Sequence, residues 1–136
     1  MEEKIKVLLV DDNEDELHFM KEGFLASGLY EIIGEAESGD QLLTLMQHPS
    51  ALLPQVVVSD LNMPGLNGYE VIQEVKTDPS LQNISIVVLS NAPYVPFAEK
   101  CKKLGACLYF TKPETFLDYE NFARKIYGAV KACVHT

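Results

Sequence analysis

The chain has 136 residues, 47% apolar and 23% charged, which suits one folded domain over 1–136 and is the wrong balance for a disordered chain. Its formal charge of −9 argues against a nucleic-acid footprint, which needs clustered Lys and Arg, and against an anionic membrane surface. The three cysteines, Cys101, Cys107 and Cys133, are an odd count without Cys-x-x-Cys spacing, so neither a disulfide nor a zinc site is expected and a reducing, cytoplasmic setting is the simpler reading.

The first apolar run, "KIKVLLV" (4–10), is far too short to span a membrane and reads as a strand. "NEDELHFMKEGFLASG" follows, with Leu17, Met20 and Phe24 at helical spacing, three acids in the first turn where the helix dipole favours them, and Gly28 as the stop. "YEIIGEAE" is a second strand, and "SGDQLLTLMQH" a second helix with Ser38 and Gln41 at capping-box spacing and Pro49 beyond its end. "QVVVSD" is a third strand, and "NGYEVIQEVKT" a third helix with Asn67 and Glu70 as its cap pair. "ISIVVLS" (84–90) is a fourth strand, "PFAEKCKKLG" a helix ending at Gly105, and "CLYF" a fifth strand. After Pro113 a last helix aligns Tyr119, Phe122, Ile126, Val130 and Cys133 on one face. There is no internal repeat, low-complexity tract or Gly/Ser linker.

Five strand-helix repeats imply an α/β fold with a parallel sheet and helices on both sides. The nearly continuous aliphatic runs of strands one, three and four fit burial on both faces. Ligands of such sheets gather at the carboxyl ends of the strands. Strand one ends in Asp11 and Asp12, strand three in Asp60 and strand four in Ser90, while Thr111, Lys112 and Pro113 follow strand five. Clustered carboxylates repel unless a hard cation sits among them, and Mg²⁺ is the natural choice, with oxygen ligands from carboxylates, waters and phosphate. A carboxylate at a rigid strand tip, beside Mg²⁺ and a lysine, suits nucleophilic attack on a phosphoryl group.

On "VDDNE", "VVVSDLNMPGLNGYE", "IVVLS" and "YFTKP", taken in order, the chain resembles a response-regulator receiver domain of two-component signalling, of the chemotaxis-regulator type. The resemblance spans essentially the whole chain. It implies a (βα)5 doubly wound sheet in the flavodoxin-like order 2-1-3-4-5. By position, Asp60 matches the phosphoacceptor, and Asp12, Asp60 and the backbone carbonyl of Asn62 match direct Mg²⁺ ligands. Asp11 matches the acid that holds the metal through water. Ser90 matches the switch hydroxyl, Lys112 the phosphate-pairing lysine and Tyr109 the aromatic switch residue; the bond to Pro113 is usually cis in the family.

The resemblance further implies a phosphoacceptor rather than an enzyme, with slow autodephosphorylation at most. It would be charged by a histidine kinase or a histidine phosphotransfer protein. No output domain follows the last helix, so a stand-alone receiver is expected, acting through helix four, strand five and helix five on a downstream protein, through a homodimer formed on phosphorylation, or by phosphorelay. The alternative is a receiver-like binding module that phosphate does not switch. A haloacid-dehalogenase-like phosphatase would need Asp-x-Asp where this chain has Asp60-Leu61-Asn62, and a flavin binder would not place "DDNEDE" at its phosphate loop. Asn91 departs from the small residue usual after the switch hydroxyl, and an effect on dephosphorylation rate is expected of it. "APYVPF" (92–97) carries two prolines at the entry to helix four and is expected to stiffen or displace it. Thr111 is assigned to local hydrogen bonding, Cys101 and Cys107 to apolar packing, His18, His48 and His135 to surface or helix-end positions, and Lys100, Lys102 and Lys103 to a solvated helix face.

Overall fold

In a computed structural model, the chain is described at residues 4–48, 52–63, 65–91, 95–113, 115 and 118–134. Five strands alternate with five helices: β1 (Ile5–Val10), α1 (Glu14–Ser27), β2 (Tyr30–Ala36), α2 (Gly39–Gln47), β3 (Val56–Asp60), α3 (Gly68–Thr77), β4 (Ser85–Ser90), α4 (Val95–Leu104), β5 (Leu108–Thr111) and α5 (Tyr119–Cys133). The strands form one parallel sheet in the order β2-β1-β3-β4-β5. Among the described residues no helix is long and apolar enough to cross a membrane.

The side-chain alternation of each strand divides the core in two. Val7 and Leu9 of β1, Val56 and Val58 of β3, and Val87 and Leu89 of β4 pack with Leu17, Met20 and Phe24 of α1 and Ala123, Ile126 and Val130 of α5. Their neighbours Leu8, Val10, Val57, Ile86 and Val88 face the other way, against Leu42 of α2, Val71 and Ile72 of α3 and Cys101 of α4. Both sets are buried, which is why these strands read as unbroken aliphatic runs.

The helix ends follow their capping residues. Asn13 accepts from the Glu16 amide at the start of α1, and Gly28, at φ 74°, returns its amide to Leu25 at the end. α3 carries the full capping box between Asn67 and Glu70. In α2 half of the expected box forms: Ser38 accepts from the Gln41 amide, whereas Gln41 Oε1 takes the amide of Glu37, one residue earlier than the box requires. Gly23 is where α1 and α5 touch. A Cβ there would lie 2.5 Å from Tyr119 Cβ and 2.6 Å from its backbone carbon.

Two expectations are corrected. Cys107, just before β5, and Cys133, the last residue of α5, are joined by a disulfide with Cα atoms 6.4 Å apart, and Cys101 remains a buried free thiol. Because α5 runs back along the sheet, its end returns to the start of β5, and the pair 26 residues apart is made by topology rather than by local spacing. Cys107 is thus a bonded, half-buried residue rather than a packing thiol. The described residues contain no cis peptide bond, so Lys112–Pro113 is trans, the isomer that an X–Pro bond prefers unless its surroundings oppose it. Residues 92–94 of the "APYVPF" stretch, Pro49 and His135 lie outside the described residues.

Candidate functional site

The register brings the strand ends together. Val10 pairs with Ser59, Asp60 with Leu89, and Ser90 with Thr111. Asp11, one residue past β1, therefore stands beside Asp60, and Lys112, one residue past β5, stands beside Ser90. The ladder continues beyond the strands: the Leu61 amide donates to the Leu89 carbonyl at 2.9 Å and the Lys112 amide to the Ser90 carbonyl at 2.9 Å.

Asp11, Asp12 and Asp60 each offer a carboxylate oxygen, and these oxygens lie within 4.8 Å of one another. Asp11 and Asp60 are buried, while Asp12 is exposed at the mouth. Lys112 Nζ answers this charge. It donates to Asp11 Oδ2 at 2.9 Å and to Glu16 Oε1 at 3.3 Å, and it lies 3.4 Å from Asp60 Oδ1. Its side chain is 6% exposed, so the ammonium is almost wholly withdrawn from water. Asp11 is engaged at both oxygens, because Oδ1 accepts the Asn13 amide at 2.9 Å.

Burial sets the ionisation of this group. It pushes the Asp60 carboxyl up from 3.8 to about 6; Lys112 opposes the rise and Asp11 adds to it. Burial alone would lower the Lys112 ammonium, but the Asp11 hydrogen bond and the charges of Asp60, Asp11 and Glu16 outweigh it, and the net direction is upward. Three oxygen donors of this kind suit a hard divalent cation such as Mg²⁺. Around neutral pH Asp60 is mostly ionised, next to a lysine whose charge is secure.

Ser90, Asn91, Asn62 and Thr111 fall at the same end of the sheet. Ser90 is fully buried at the tip of β4, and Asn91 follows it, exposed. Asn62 is exposed two residues past Asp60, and Thr111 is exposed at the end of β5. Tyr109 is half-buried on β5, against the core on the α2, α3 and α4 side. His18 and His48 are exposed. Lys100 is exposed yet sits over the Tyr69 ring at 4.1 Å, so part of the lysine face of α4 is tied to α3.

Two residues join the site without having been singled out. Glu16 reaches Lys112 from the first turn of α1, where the sequence shows it only as one of three acids favoured by the helix dipole. Tyr119, at the start of α5, buries its hydroxyl without a hydrogen-bond partner among the described residues. Burial, then the charges of Glu16, Asp11 and Asp60, pushes that hydroxyl far upward, so it stays neutral beside the acids.

Comparisons with known proteins agree with this geometry. A model of the response regulator receiver domain family matches residues 7–121. The chain is 28% identical to the "Probable chemotaxis protein CheY" of Rhizobium etli, over 95% of this chain and 97% of that one. It is 27% identical to the two-component response regulator ARR17 of Arabidopsis thaliana, over 89% of this chain and 84% of that one. Among solved structures it is similar to the phosphorylated cyanobacterial phytochrome response regulator RcpA, with a TM-score of 0.79, 27% identity and 91% of each chain covered.

Proposed function

We propose that this chain, which belongs to the response regulator receiver domain family, accepts a phosphoryl group on Asp60 from a histidine kinase or a histidine phosphotransfer protein. The observation that carries the reading is a buried Asp60 at a strand tip, 3.4 Å from Lys112 Nζ and within 4.8 Å of the oxygens of Asp11 and Asp12. An ionised Asp60 oxygen attacks phosphorus, the new O–P bond forms as the donor's N–P bond breaks, and the electron pair returns to the imidazole. Lys112 is placed to meet the charge that develops on the phosphoryl oxygens.

Asp12, Asp60 and the Asn62 carbonyl would hold Mg²⁺ directly, and Asp11 through water. Both Asp11 oxygens already have donors, which supports the indirect role. When bound, the cation supplies charge neutralisation and orients the phosphoryl oxygens. Ser90 is the hydroxyl that would be drawn to the phosphoryl group, with Tyr109 following it, so that α4, β5 and α5 present an altered face. Output would go to a downstream protein, through a homodimer or by relay. That the phytochrome regulator RcpA, 27% identical, is known in a phosphorylated form supports this reading.

Intact mass after incubation with acetyl phosphate tests it. One phosphoryl increment is expected, absent without Mg²⁺ and absent in Asp60→Ala. A folded, Mg²⁺-binding protein that gains no mass would contradict the proposal and favour a module that works by binding alone.

A further inference from the structure

We infer that Glu16 is a positioning residue for Lys112, an inference that rests on the phosphoacceptor reading of Asp60. An ammonium has three N–H donors, and here three carboxylates surround it: Asp11, Glu16 and Asp60. Two of the three belong to the oxygen cluster that a cation would occupy; Glu16 does not. With a cation held directly by Asp60 and through water by Asp11, Glu16 is the one carboxylate of the three that serves Lys112 alone.

Its location is well determined. The Glu16 amide is fixed by Asn13 Oδ1 at 2.9 Å in the first turn of α1, and the side chain is 12% exposed, little open to water. An ion pair so sheltered is far less screened than a surface one. Glu16 and Asp11 therefore anchor two N–H groups of Lys112 and leave the third toward Asp60, 3.4 Å away, where a phosphoryl oxygen would arrive.

Charge and placement predict opposite signs, which makes the role separable. A Glu16 that acted only as a negative charge would repel an incoming phosphoryl donor, and removing it would speed the reaction. A Glu16 that places Lys112 would slow it when removed.

The test uses E16Q, which keeps volume, in both wild-type and K112Q backgrounds, with phosphorylation by acetyl phosphate followed by intact mass and Mg²⁺ binding by calorimetry. At saturating Mg²⁺ and donor, E16Q is expected to lower the first-order rate constant of phosphorylation about tenfold without raising the donor concentration for half-maximal rate. E16D should restore part of the loss, and E16Q should cause no further loss in K112Q. A phosphorylation rate constant equal to or above wild type, or the same loss in K112Q, would overturn the inference and leave the phosphoacceptor reading intact. A wild type that takes up no phosphoryl group would instead defeat that reading. The calorimetry then decides alone: loss of Mg²⁺ affinity in E16Q that disappears in K112Q supports the Glu16–Lys112 coupling, and additive losses overturn it.

Discussion

Replacing Asp60 by Asn should stabilise the metal-free protein. Asp60 ionises in the folded state only around pH 6, against 3.8 ordinarily, so the folded chain binds a proton more tightly than the unfolded one between those values. Stability then falls as pH rises through that window, and the full cost is present above about 6. At about 1.4 kcal/mol per pH unit the displacement from 3.8 to about 6 is worth about 3 kcal/mol. That figure is net of the help from Lys112. An Asn amide carries its own burial cost, which reduces the expected gain to about 1–2 kcal/mol. Urea melts of both proteins with a chelator, at about pH 7.5 and about pH 4.5, read it directly. The gain should be present at the higher pH and shrink at the lower, where wild-type Asp60 is protonated when folded. An Asp60→Asn protein no more stable than wild type at the higher pH, or a gain that ignores pH, would refute the claim that burial and like charge make Asp60 costly.

Mg²⁺ affinity should weaken below about pH 6, because the cation must displace the proton that Asp60 then carries; calorimetry across pH should show proton release on binding. Gly23→Ala should cost about 2–3 kcal/mol in a denaturant melt, since its Cβ would meet Tyr119 at 2.5 Å and must part α1 from α5. Reducing Cys107–Cys133 should cost about 3–4 kcal/mol by freeing a 26-residue separation, and a Cys133→Ser protein should melt alike with and without reductant.

The strands and the acids at their ends were legible because both are written locally, whereas the sheet order that brings those acids together came from the resemblance to receiver domains. Strands buried on two faces leave unbroken runs such as Val56–Val58 and Ile86–Leu89, and a carboxylate that ends such a run, as Asp60 does, has little structural reason to be there. What escaped was written across the fold. Cys107 and Cys133 meet only because α5 turns back along β5, and no spacing rule reports that return. Glu16 looked like an ordinary first-turn acid, since helix polarity explains it well enough until Lys112 arrives from the far end of the chain. Tyr119 reads as a core aromatic, which it is; that its hydroxyl ends beside the acids depends on the close α1–α5 approach that Gly23 permits.

The central claim is that Asp60 itself carries the phosphoryl group. Borohydride reduction of protein treated with acetyl phosphate and Mg²⁺ converts an aspartyl phosphate to homoserine, and peptide mass mapping locates it. The account predicts homoserine at position 60 and nowhere else. Homoserine at Asp11 or Asp12, or an unchanged aspartate at 60 in protein that has gained a phosphoryl mass, would contradict it.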